Sequence, residues 1–102
     1  MAEDVITNVI DFLERIRKED IVNVKFRKKD GSVRVMKCTL NFDRIPKSDH
    51  PKSVNLPTIL RLISKSKIIH VYDLDKNGWR SVPFETTEWV ETPEMKYYVI
   101  KK

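Results

Sequence analysis

The sequence predicts a small α+β domain, mainly β: an N-terminal amphipathic helix within residues 1–20, then a five-stranded antiparallel barrel within 21–102. Three observations predict it. Residues 4–18 place apolar side chains at helical spacing. Two pairs of alternating apolar and polar runs flank Asp30-Gly31 and Asn77-Gly78, dipeptides that favour tight hairpins. A chain of 102 residues is enough for one core and too short for two.

The helix comes first. Ile6, Val9, Ile10, Leu13 and Ile16 follow the i, i+3, i+4, i+7 spacing of one face, and Phe12 widens the stripe. Asp4 is the expected N-cap, and Arg15, Arg17 and Lys18 suit the C-terminal end of the helix dipole. Apolar on one side only, this helix is expected to cover a sheet or plug the end of a barrel. Its polar face carries both charge signs, unlike the Lys- and Arg-rich face of a membrane-surface helix.

Ile21–Lys28 reads as a strand, because Val22, Val24 and Phe26 alternate with Asn23, Lys25 and Arg27. A type I′ turn at Asp30-Gly31 leads to a return strand from Ser32 to about Leu40. Val33 and Val35 fall on one side of it, Met36, Cys38 and Leu40 on the other. Pro46, Pro51 and Pro57, with Asn41, Asp43, Ser48, Asp49 and Ser53, mark residues 41–57 as a connection. Pro57 to about Lys65 reads as a short helix inserted near 41–66, with Ile59, Leu60, Leu62 and Ile63 as its apolar residues. Ile68–Leu74 and Trp79–Phe84 form a second hairpin across Asn77-Gly78, with Pro83 at a strand end or sheet edge. Residues 85–95 read as an acidic loop around Trp89, and Tyr97–Ile100 as a last short strand. This order fits an SH3-like or Sm-like barrel; an open sheet backed by the helix is the alternative.

Composition narrows the function. The chain is 40% hydrophobic and 34% charged, which favours a folded domain over a disordered one. Gly31 and Gly78 both sit in turns, leaving no Gly-rich loop for a phosphate. Cys38 is the single cysteine, so an intramolecular disulfide is impossible, and Cys/His zinc spacing is absent. A reducing, intracellular setting is expected. The acidic start Met1-Ala2-Glu3-Asp4 is unlike a secretory signal, and no apolar run approaches a membrane span. His50 and His70 lack metal-ligand spacing, and Glu85 and Glu88 lack the setting for acid–base work. The expectation is a non-enzyme without a cofactor. Charge is segregated: residues 1–20 carry net −3, residues 21–67 net +9 and residues 68–102 net −1. A basic middle segment is a footprint for nucleic acid or an acidic partner, or simply a solvated face.

Two stretches carry a family resemblance. Lys28-Lys29-Asp30-Gly31-Ser32-Val33-Arg34-Val35-Met36-Lys37-Cys38-Thr39-Leu40-Asn41, followed by Ile45-Pro46, resembles a family of small proteins of T4-like and related bacteriophages. Val71-Tyr72-Asp73-Leu74-Asp75-Lys76-Asn77-Gly78-Trp79-Arg80-Ser81 is similar to that family's second block. The family is described as an Sm-like or SH3-like β-barrel, named by analogy with the WYL domain of bacterial regulators. The resemblance implies a phage protein acting in the bacterial host cytoplasm, in a regulatory or nucleic-acid-associated role. It carries over no site residues, and the 47–66 connection is longer than the family's usual spacing.

The candidate nucleic-acid-binding residues are therefore read from the chain itself. Lys25, Arg27, Lys28, Lys29, Arg34 and Lys37 decorate the first hairpin, where cations could neutralise phosphates. The alternative is a hairpin kept soluble by charge. Trp79 and Arg80, with Tyr72 and His70, lie on the second hairpin; they could stack on bases, or Trp79 and Tyr72 could form a cross-strand pair. Trp89, Tyr97 and Tyr98 belong either to a partner surface or to the core. Glu85, Glu88, Glu91 and Glu94 around Trp89 would suit a basic protein partner. The expected partner is nucleic acid, DNA in preference to RNA. A host enzyme of transcription or DNA topology is the second expectation.

Overall fold

The computed structural model describes residues 2–50 and 56–100. Strand β1 (Ala2–Ile6) precedes helix α1 (Val9–Lys18), and β2 (Val22–Arg27) and β3 (Val33–Thr39) form the first hairpin. Two 3-10 turns, Phe42–Arg44 and Lys47–Asp49, lead towards α2 (Leu56–Ser66). The second hairpin is β4 (Ile68–Asp73) and β5 (Gly78–Pro83), followed by a 3-10 turn (Phe84–Thr86), β6 (Thr87–Glu91) and β7 (Met95–Val99). Pro51 and Ser53 of the expected connection lie outside the described residues.

The seven strands make one open sheet in the order β1-β7-β6-β2-β3-β4-β5. The expected five-stranded barrel is corrected in two places. The acidic stretch 85–95 is not one loop. Thr87-Glu88-Trp89-Val90-Glu91 is a strand that buries Thr87 and Val90, with a register shift against β2 between them, and it sets Val90 opposite Val24 and Tyr97. The helix does not begin at Asp4. Residues 2–6 form a strand parallel to β7, so Ile6 reaches the core from the sheet, opposite Val99. Asn8 is the actual N-cap: its backbone is extended and its side chain accepts the Asp11 N–H at 2.9 Å.

The sheet is open yet strongly curled. Thr87 follows Pro83 by four residues, which reach at most roughly 14 Å. In a flat sheet β5 and β6 would stand four strand spacings apart, about 19 Å. The strands between them must therefore bend until the ends approach. Thr86 Oγ1 donates to the Arg27 carbonyl at 2.8 Å and Thr87 Oγ1 to the Pro83 carbonyl at 2.7 Å, tying this corner to both neighbours.

Inside the curl, Val22, Val24, Met36, Cys38, Ile69, Val71, Val82 and Val90 meet Val9, Phe12, Leu13 and Ile16 of α1. Phe12 packs against Phe84, ring centroids 5.6 Å apart, and Arg15 lies over the Tyr97 ring at 4.7 Å. Helix α2 touches α1 and contributes Ile63 to this core.

Neither hairpin turns on two residues. In the first, the Gly31 N–H bonds to the Lys28 carbonyl and the Lys28 N–H to the Ser32 carbonyl; Gly31 alone has positive φ, at 90°. Asp30 accepts from both the backbone N–H and the hydroxyl of Ser32, which fixes a wider loop. In the second, Asn77 supplies the left-handed residue at φ 54°, and Asp73 Oδ1 accepts the N–H groups of Asp75 and Lys76.

Candidate nucleic-acid interface

The register of β2 sorts the predicted cations. Facing pairs in an antiparallel ladder share a side. Val22 with Cys38 and Val24 with Met36 therefore face the core, while Asn23 with Lys37, Lys25 with Val35 and Arg27 with Val33 face outward. Lys25, Arg27 and Lys37 thus stand together on the side away from α1. Lys28 and Lys29 are exposed at the hairpin tip.

Arg34 does not join them. Its register partner is Phe26, and its guanidinium pairs with Asp73 Oδ2. The Asp73 side chain is fully buried and that of Arg34 is 23% accessible. Burial opposes ionisation of Asp73, but the Lys76 N–H, the Arg34 guanidinium and the Asp75 N–H outweigh it and hold the carboxyl below its ordinary range. The same buried pocket pushes the Cys38 thiol up to about 12, first by desolvation and then by the Asp73 charge.

Trp79 is built into the second hairpin. It faces Tyr72 across the ladder in an edge-on contact at 5.6 Å, the cross-strand pair weighed from the sequence. Phe42 meets the Trp79 ring at 6.4 Å, and Trp79 Nε1 donates to the Asp49 carbonyl at 2.8 Å. The Tyr72 hydroxyl donates to Asp49 Oδ2, which raises the phenol above its ordinary value. His50 Nε2 lies within 3.0 Å of the Phe42 and Ile45 carbonyls. Residues 42–50 therefore roof the outer side of β4 and β5. The register sets Arg80 opposite core residue Val71, away from Lys25, and its Nη1 donates to the Trp79 carbonyl.

The structure adds residues that the sequence reading placed elsewhere. Trp89 pairs with Lys25 on one side and Tyr98 on the other, and Tyr98 pairs with Val5. One outward row thus crosses five strands: Val35, Lys25, Trp89, Tyr98 and Val5. Lys96 Nζ stands 4.5 Å from the Trp89 ring centroid and 5.6 Å from that of Tyr98. The Glu3 carboxylate hydrogen-bonds the Tyr98 hydroxyl and raises that phenol. Lys25 Nζ lies 3.7 Å from Glu88. The strand-favouring residue types Thr87, Trp89 and Val90 were the available sign of this strand; its glutamates made the segment read as a loop.

Among the described residues no group of three or more His, Cys, Asp or Glu side chains is placed to hold a metal ion, and no helix is long and apolar enough to cross a membrane. A family model described as WYL_2, Sm-like SH3 beta-barrel fold, matches residues 9–86. The chain belongs to the WYL_2 family. The WYL_2 match runs from α1 through the 3-10 turn after β5, so β1, β6 and β7 lie beyond it. The barrel description of WYL_2 agrees with the curl between β5 and β6, although the sheet stays open. No curated protein and no solved structure matches the chain.

Proposed function

We propose that this protein is a non-enzymatic accessory or regulatory protein of a bacteriophage that binds nucleic acid, DNA in preference to RNA, through its first hairpin. The observation that carries the reading is the gathering of Lys25, Arg27 and Lys37 on the outward side of β2–β3, with Lys28 and Lys29 exposed at the tip. Cations held in one array neutralise neighbouring phosphates and release their counterions, a term that needs no base sequence. The resemblance to small phage proteins supports the origin and a place in the host cytoplasm. Arg34 and Trp79 are engaged in the fold, so the contacts fall to the five lysine and arginine residues named above.

Titration against duplex and single-stranded DNA and RNA at two salt concentrations tests the reading. With four phosphate contacts, affinity should fall roughly 50- to 150-fold between 50 and 200 mM salt. The double variant Lys25→Glu, Arg27→Glu should lose most of the binding. Affinity indifferent to salt, or unchanged in that variant, refutes the assignment.

A second reading, a module that docks on a host enzyme of transcription or DNA topology, draws on α2. Its Leu62 is 60% accessible and Ile59 37%, beside exposed Arg61 and Lys65. Recovery of such an enzyme by the wild-type chain, but not by Leu62→Asp, would favour it.

A further inference from the structure

We infer that the outward face of β2, β6 and β7 is a stacking platform for single-stranded nucleic acid, with Trp89 and Tyr98 taking bases while Lys25, Arg27 and Lys37 hold phosphates. The inference rests on the proposed nucleic-acid reading and names the form of strand bound.

Three observations carry it. First, Trp89 and Tyr98 are register partners on adjacent strands, roughly 5 Å apart. Among the described residues no hydrogen bond or ring contact ties a loop over them as residues 42–50 are tied to Trp79, and Trp89 is half-buried. Tyr98 is 39% accessible, and Val35 and Val5, which end the row, are 52% and 51%. Second, the group that lies over both rings is the Lys96 ammonium. A flexible cation over two electron-rich faces is readily exchanged for a base, which stacks on the same π-surface, and the ammonium is then free to meet a phosphate. Third, charge on this face is graded. Around the rings Lys96 faces Glu3 and Glu91, and Glu88 pairs with Lys25, whereas Arg27 and Lys37 on β2–β3 have no carboxylate opposite them in the ladder.

A polyanion fits this gradient one way round: backbone along the β2–β3 side, bases turned towards β6 and β7. A duplex keeps its bases paired and stacked within the helix and cannot offer them to Trp89 and Tyr98. A single strand can, because its base faces are open.

The test uses the Trp79→Phe chain, in which Trp89 is the remaining indole, titrated with a 20-residue oligo-dT and with a 20-base-pair duplex at low salt. The expected result is quenching of Trp89 fluorescence by the single strand and at least tenfold tighter binding of it than of the duplex. Tyr98→Leu and Trp89→Leu in the native chain should each weaken single-strand binding about tenfold or more, with unchanged far-UV circular dichroism. Trp89→Phe should restore most of the loss, because a phenyl ring still stacks. Two results overturn the inference in different ways. Salt-sensitive binding that ignores both leucine variants and does not quench Trp89 removes the platform but leaves the basic hairpin. Absence of binding to either oligonucleotide removes both.

Discussion

Asp73 does two jobs with one buried carboxylate. Oδ1 closes the β4–β5 turn through two backbone N–H groups, and Oδ2 pairs with Arg34 from β3. Asp73→Asn keeps an acceptor for the turn and removes the charge opposite Arg34. Urea denaturation at pH 7 should show a loss of about 2 kcal/mol, the scale of a hydrogen bond to a charged group. The native carboxyl titrates below its unfolded value, so its stabilisation is complete above the unfolded pKa of roughly 3.9 and is lost as pH falls through the lower native value. The gap between wild type and Asp73→Asn should therefore narrow on acidification below about pH 4; a gap constant from pH 7 to pH 2.5 would contradict the assignment. Cys38 shares that pocket. With its thiol pushed up to about 12 and its side chain buried, a thiol reagent at pH 8 should modify it only at the rate of unfolding.

At the scale of elements, the start of α1 separates periodicity from capping. Ile6 fits the helical stripe by spacing, yet its neighbours Ala2–Val5 pair with β7. Asn8 ends the strand and opens the helix with reciprocal bonds to Asp11: its oxygen accepts the Asp11 N–H, and its amide donates to the Asp11 carboxylate. Asn8→Ala should cost about 1 kcal/mol, while Asp4→Ala, on an exposed edge strand, should stay within about 0.5 kcal/mol. Equal losses at both positions in denaturant titrations would restore Asp4 as the cap. Strand β6 teaches the complementary lesson. Glutamates at 85, 88, 91 and 94 dominate its local composition, but Thr87, Trp89 and Val90 are the residue types that a pleated, half-buried surface accepts.

At the scale of the whole molecule, one corner sets the curvature. The turn Phe84–Thr86 brings β5 and β6 together, and Phe84 fills the space between that corner and Phe12. Phe84→Ala should cost about 3–5 kcal/mol, and hydrogen exchange should quicken in β5 and β6 together, because the cavity opens at their junction. Protection lost in β6 alone would mean that the corner does not couple them. The curl also divides the outward side. Residues 42–50 roof β4 and β5 through Phe42, Asp49 and His50, while on β2, β3, β6 and β7 Lys37 and Tyr98 are exposed and Lys25 and Trp89 half-buried.

The sequence by itself determined both hairpins, the body of α1, the second helix and the burial of Cys38, because each depends on neighbours within a few residues: helical spacing, strand alternation and turn chemistry. It also located the basic hairpin, since charge is a property of composition. Only the tertiary structure decided that residues 2–6 pair with β7, that Arg34 turns inward to Asp73, that Trp79 lies under residues 42–50, and that Trp89 and Tyr98 stand beside Lys25. Each of these joins residues far apart along the chain through strand register. In a sheet, a shift of one residue moves a side chain to the opposite face, so local pattern alone cannot assign which lysine and which ring share a side.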